Sequence, residues 1–134
     1  MVKLVRLIFL LTVLALPGQA QSIKELMARG DQLYSKKDYK NALDSYLAAQ
    51  EINPDDASLN FKIGLTYLYS DTKSKAATYI DKAYRLNPEV NPDIEYHLGI
   101  AFQNTNDFTR AIQHFTDFKK KNKKLASIAD EKID

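Results

Sequence analysis

A 34-residue period constrains this chain more than any other feature. Gly30 and Gly64, Ala42 and Ala76, and Pro54 and Pro88 are each 34 residues apart. Three anchors sharing one interval point to a duplicated structural unit. The stretch Asn60–Pro88, NFKIGLTYLYSDTKSKAATYIDKAYRLNP, shows the unit most fully. Ile63, Gly64 and Tyr67 fall on one helical face, and Ala76, Ile80 and Ala83 on one face of a second helix. Asn87-Pro88 closes the pair. One such helix pair cannot bury its own apolar surface, so it has to stack against copies of itself.

Copies flank it on both sides. With Pro54 taken as repeat position 32, Leu26 falls at 4, Gly30 at 8, Leu33 at 11, Ala42 at 20, Tyr46 at 24 and Ala49 at 27. Asp38-Tyr39 opens the second helix of this repeat. Arg29 sits at position 7, usually apolar, so its first helix is the weaker half. The middle repeat runs from Ala57 to Val90. In the third, Leu98-Gly99 lies 35 residues beyond Ile63-Gly64, which places one inserted residue in the Glu89–Pro92 turn. Phe102, Phe108, Ala111 and Phe115 then take positions 11, 17, 20 and 24. Small residues at 8, 20 and 27 let antiparallel helices approach closely. Phe118 fills position 27 and so requires either a wider spacing or a partner beyond it, and Lys123 replaces the closing proline. Leu125, Ile128, Ala129 and Ile133 follow at amphipathic spacing, as a cap over the open end of a stack requires.

The start of the chain belongs to targeting. Lys3 and Arg6 precede an apolar run from Leu7 to Leu16, followed by Pro17, Gly18, Gln19 and Ala20. These are the parts of a secretory signal peptide, with cleavage expected after Ala20. The run is too short to span a bilayer, which takes about 20 apolar residues. No integral membrane span is therefore expected after cleavage. Without cysteine, lipid attachment through that residue and disulfides are excluded. The expected location is the periplasm, free or in association with the outer membrane. Of the 19 basic residues, Lys3 and Arg6 leave with the signal, so 17 basic face 17 acidic ones. A neutral mature chain gives no reason to expect nucleic acid or anionic lipid as partner.

The expected organisation is all-α: signal peptide 1–20, a repeat region 21–121 with repeats at about 23–56, 57–90 and 92–123, and a capping helix over 122–134. Nothing in it calls for catalysis. His97 and His114 fall at positions 6 and 23, and no cysteine accompanies them. There are only four glycines, and no phosphate-binding loop or nucleophile elbow. No enzyme activity, cofactor, metal or small-molecule substrate is expected. The lysines at 119, 120, 121, 123 and 124 read as a solvated helix end.

Ile-Gly-x-x-Tyr at 63–67, Ala-x-x-x-Ile at 76–80 and the closing Pro88, on a 34-residue period, resemble the tetratricopeptide repeat (TPR) family. The resemblance implies a three-repeat α-solenoid whose first helices line a concave groove for a protein or peptide. It places in that groove Met27, Asp31 and Tyr34; Phe61, Leu65, Leu68 and Tyr69; and Tyr96, Ile100, Gln103 and Asn104. The residues themselves show that Phe61, Leu65, Leu68 and Tyr69 lie about half a turn from Asn60, Ile63 and Tyr67, so this helix is apolar on two faces. Either a partner covers the second face, or neighbouring first helices bury it among themselves. The family's carboxylate clamp for chaperone tails is not matched, because Met27, Asp31, Asp93 and His97 stand where it uses Lys, Asn, Lys and Arg.

The longer runs KKDYKNALDSYLAAQEINPDDA and NPEVNPDIEYHLGIAFQNTNDFTRAIQHFTDFKKK resemble the N-terminal TPR module of exported Bacteroidota envelope proteins. There the module often precedes a propeller and an OmpA-like domain, and some members serve type IX secretion or gliding. This chain carries neither domain nor a lipid-anchoring cysteine, so peptidoglycan binding is not implied. The function expected is an adaptor of the cell envelope that holds a protein or peptide. The alternatives are a docking segment of a larger envelope protein, and a self-association module.

Overall fold

The computed structural model describes residues 17–122. The apolar run 7–16 and the expected helix beyond Asn122 lie outside the described residues. Among the described residues six helices follow in order: α1 (Pro17–Ser35), α2 (Tyr39–Ile52), α3 (Ala57–Tyr69), α4 (Ala76–Leu86), α5 (Ile94–Gln103) and α6 (Phe108–Lys121). One 3₁₀ turn, Lys73–Lys75, leads into α4. They form three pairs, α1/α2, α3/α4 and α5/α6, stacked through α2 on α3 and α4 on α5. The result is an all-helical solenoid of the expected kind.

Local chemistry sets the helix limits. Asp38, Asp56 and Asp107 cap α2, α3 and α6, their carboxylates accepting from the backbone N–H of Asn41, Leu59 and Arg110. Each satisfies a donor that the first turn leaves unpaired. Repeats one and three turn identically between their helices. Lys37 (φ 61°) and Asn106 (φ 59°) take the left-handed conformation just before the capping aspartate. Leu33 and Phe102 carbonyls then accept from the N–H groups of Asp38 and Asp107. Repeat two lacks this turn and uses the 3₁₀ segment instead. The helix pairs also end alike. Asn53, Asn87 and Asn122 stop α2, α4 and α6, each N–H bonded to the carbonyl four residues back.

The glycines explain why the helices of a pair sit so close. A methyl group added at Gly30 would run into the ring of Tyr46, one at Gly99 into Phe115, and one at Gly64 into Ile80. Position 8 thus meets position 24 in every repeat. At Gly64 the obstacle includes backbone, with the Ile80 nitrogen 3.0 Å and the Ala76 carbonyl oxygen 3.3 Å from the added carbon. Phe118, the oversized residue at position 27, is buried and finds a partner within its own pair, Tyr96, with ring centroids 5.4 Å apart.

Successive repeats are joined by a recurring polar contact from position 28 to position 4 of the next repeat. Gln50 Nε2 donates to Asn60 Oδ1 (2.7 Å), while Asn60 Nδ2 donates to the Pro54 and Asp56 carbonyls. At the next junction the Tyr84 hydroxyl donates to Glu95 Oε1 (2.8 Å). His114 Nδ1 meets Glu95 Oε2 at 2.6 Å, and Lys121 Nζ lies 3.4 Å from Oε1. Glu95 is 2% exposed, so this carboxylate is held by partners on both α4 and α6. The Glu95 contact, followed by burial, pushes the Tyr84 hydroxyl up to about 12.

Gly64→Ala should lose stability despite its better helix propensity, which returns about 1 kcal/mol. Overpacking against fixed backbone costs about 1–3 kcal/mol. Gly99→Ala should lose less, because the Phe115 ring can turn aside. Urea-unfolding midpoints of the two variants check the ranking.

Candidate partner-binding face

The first helices of the three pairs meet along one side of the stack. Lys62 Nζ on α3 reaches Asp31 Oδ1 on α1 at 2.6 Å, and the Phe61 ring on α3 lies 5.6 Å from the His97 ring on α5. Between α1 and α3 is a small cavity of about 200 Å³ lined by Asp31, Tyr34, Tyr46, Lys62 and Leu65. The Asp31 carboxylate there is already engaged, accepting from the Tyr46 hydroxyl as well as from Lys62. Burial, reinforced by that bond, raises the Tyr46 pKa.

At one end of this cavity three tyrosines gather. Tyr34 packs edge-on to Tyr39 (5.5 Å) and to Tyr69 (6.4 Å), and Tyr39 stacks on Tyr69 (6.0 Å). Burial, with Tyr69 and Tyr39 adding to it, pushes the Tyr34 hydroxyl up to about 12. Tyr69 is 54% exposed, which leaves an aromatic surface open at the junction of repeats one and two. Rigid aromatic rings give large contact area at small entropy cost.

The residues assigned to the groove divide into two sets. Phe61 and Leu68 are core residues, covered by their neighbours. Tyr96 is half-buried against Phe115 and Phe118. The surface that remains comprises Asp31, Tyr69 and Asn104, exposed, and Met27, Tyr34, Leu65, Ile100 and Gln103, half-buried. Of these, Asp31, Tyr34 and Leu65 surround the cavity together and Tyr69 joins them through Tyr34. Asn104 turns back to its own helix, its Nδ2 donating to the Ile100 carbonyl.

Two contributors were not anticipated from the sequence. Tyr39 was read only as the start of a helix, although it completes the tyrosine group. Lys62 pairs with Asp31 across 31 residues, and opposite charges at positions 9 and 6 of successive repeats were the available signal. A larger cleft of about 490 Å³ lies on the other side, between α4 and α6. Its guanidinium groups are satisfied from within, Arg85 by Asp81 and Arg110 by Asp107, each at 2.6 Å.

Profiles of known repeat families match this chain as a TPR repeat over residues 30–69 and as a tetratricopeptide repeat over residues 57–90. The two matched stretches together run from the latter part of α1 to just past the end of α4. The peroxisomal targeting signal receptor of Candida albicans is 28% identical over 99 residues, 73% of this chain but 17% of that protein. This chain therefore spans less than a fifth of that relative. Among solved structures, the Arabidopsis OM64 TPR domain superposes with a TM-score of 0.76 at 18% identity, covering 87% of this chain and 97% of that one. The N-terminal domain of stress-induced protein-1 from C. elegans gives 0.70 at 19%, covering 87% and 98%. At such identities the likeness is one of fold.

His97, beside Phe61 on this face, carries a measurable consequence. Burial lowers its pKa below 6.5, opposed by Asp93, and its Nδ1 has no hydrogen-bond partner. The unfolded chain therefore takes up this proton more readily than the folded one. The associated stability is complete above about pH 6.5 and is lost as pH falls through the folded value. Asp38 and Asp107, lowered from 3.8 by bonds to Asn41 and Arg110, act only in stronger acid. Moving from pH 7.5 to 5 should lower the urea midpoint of the parent protein more than that of His97→Phe.

Proposed function

We propose that this chain is a non-enzymatic protein-interaction module that works as an adaptor of the cell envelope after export. A protein or peptide partner lies along the face formed by α1, α3 and α5. The observation that carries this reading is Tyr69, 54% exposed, stacked on Tyr39 and edge-on to Tyr34 beside the small cavity that Leu65 lines. Core packing does not require an open aromatic surface there, whereas a partner can bury it. The similarity to a protein named as a receptor for a targeting signal supports the choice of a peptide-like partner. The basic and apolar start of the chain, Lys3 to Leu16, supports export. No described helix is long and apolar enough to cross a membrane.

Docking onto other parts of a larger assembly is a second reading. Phe108 and Ile112 favour it, standing 56% and 43% exposed on α6. Gel filtration of residues 21–134 distinguishes self-association, which makes the elution volume depend on concentration.

The test uses residues 21–134 as immobilised bait for envelope proteins, beside the Tyr34→Ala/Tyr69→Ala double variant. Losing two central aromatic anchors should weaken capture at least about tenfold. The helical circular dichroism should be unchanged. Equal recovery by a folded double variant would remove the groove reading.

A further inference from the structure

The charged pair at the first junction of the stack is not something that stacking requires. Asp31 stands at position 9 of repeat one and Lys62 at position 6 of repeat two. The same positions at the next junction hold Leu65 and His97, which cannot form such a pair. The Asp31 and Lys62 side chains are 48% and 33% exposed. An ion pair so open to water adds little to stability.

Both charged groups keep unused bonding capacity. The Tyr46 hydroxyl and Lys62 Nζ both donate to Asp31 Oδ1, at 2.5 and 2.6 Å, and among the described residues none donates to Oδ2. The Lys62 ammonium has three donors, of which this bond uses one. The two residues line the cavity of about 200 Å³ whose other walls are Tyr34, Tyr46 and Leu65. Sites for whole small molecules run from about 300 Å³ upward, so this space suits one side chain of a larger partner.

The chemistry of the walls narrows which side chain. A carboxylate entering the cavity meets the like charge of Asp31, and an ammonium or guanidinium meets that of Lys62. A purely apolar group would take water from Oδ2 and Nζ and return no bond. A primary carboxamide is neutral and presents two N–H donors beside a carbonyl acceptor. Its NH2 matches Asp31 Oδ2, its carbonyl matches Lys62 Nζ, and its methylene stem can lie against Leu65 and the Tyr34 ring.

We propose that this cavity is a carboxamide pocket, which takes a glutamine or asparagine side chain of the partner between Asp31 and Lys62. The proposal deepens the groove reading and rests on it. The tyrosine group beside the pocket supplies contact area for the partner, and the Asp31–Lys62 pair supplies the selection.

The test probes an array of short peptides with labelled residues 21–134, the central residue being Gln, Asn, Glu, Lys or Met. Among peptides whose binding is lost in Tyr34→Ala/Tyr69→Ala, those with Gln or Asn should bind at least about fivefold more tightly than the rest. Asp31→Asn leaves Lys62 unopposed and should move the preference to Glu, whereas Lys62→Met should move it to Lys. Tyrosine-dependent binding without a carboxamide preference would overturn this inference alone, and would point to recognition of the peptide backbone. A carboxamide preference that neither variant moves would overturn it as well. If no peptide depends on Tyr34 and Tyr69, the groove reading itself fails, and the pocket with it. Should one of the two variants not fold, the other decides.

Discussion

Within each pair, one side chain of the second helix lies directly over a glycine of the first. Tyr46 covers Gly30, Ile80 covers Gly64 and Phe115 covers Gly99. That contact sets the interhelical distance, and most else depends on the distance. It brings Ala42, Ala49, Ala76, Ala83 and Ala111 into full burial, where larger side chains would part the helices. The filling differs between repeats: at Gly64 the backbone of α4 itself comes close as well as the Ile80 side chain, whereas rings lie across the glycine in repeats one and three.

Stacking of pairs uses a second device with different chemistry. Apolar surface drives the repeats together, but it is tolerant of sliding. The buried contacts Gln50–Asn60 and Tyr84–Glu95 are directional, and an unsatisfied partner at either would carry a desolvation cost of about 1–3 kcal/mol. They therefore favour one register at each junction. The Glu95 junction is the more elaborate, because His114 and Lys121 of α6 share the carboxylate with Tyr84 of α4.

Much of this architecture was legible in the sequence, because spacing alone specifies which positions must be small and which apolar. Gly30, Gly64 and Gly99 announce the pairs, Asp38 announces the start of α2, and the inserted residue before Pro92 correctly precedes α5. Contacts between repeats were less legible. Lys62 and Asp31, or Tyr84 and Glu95, are ordinary surface residue types until the stack brings them together. For the same reason Phe61 and Leu68 could not be told apart from Leu65 and Tyr69 on a helical wheel. All four lie away from the partner helix, but the neighbouring pairs bury the first two and leave Tyr69 open. The tyrosine group needed a turn as well: without the left-handed Lys37, Tyr39 would not return to meet Tyr34.

In the proposed reading, fold and partner recognition fall on different sides of the same helices. Ile63, Gly64 and Tyr67 of α3 hold the pair together, and Leu65 and Tyr69 remain at the face shared with α1. Amide chemical-shift mapping of the labelled protein during titration with its captured partner tests this division most directly. The account predicts that the shifted amides cluster in α1 and α3 around Tyr34, Leu65 and Tyr69, extending to α5 near Ile100 and Gln103. Shifts centred on the outer helices α2, α4 and α6, with those residues unmoved, would contradict it.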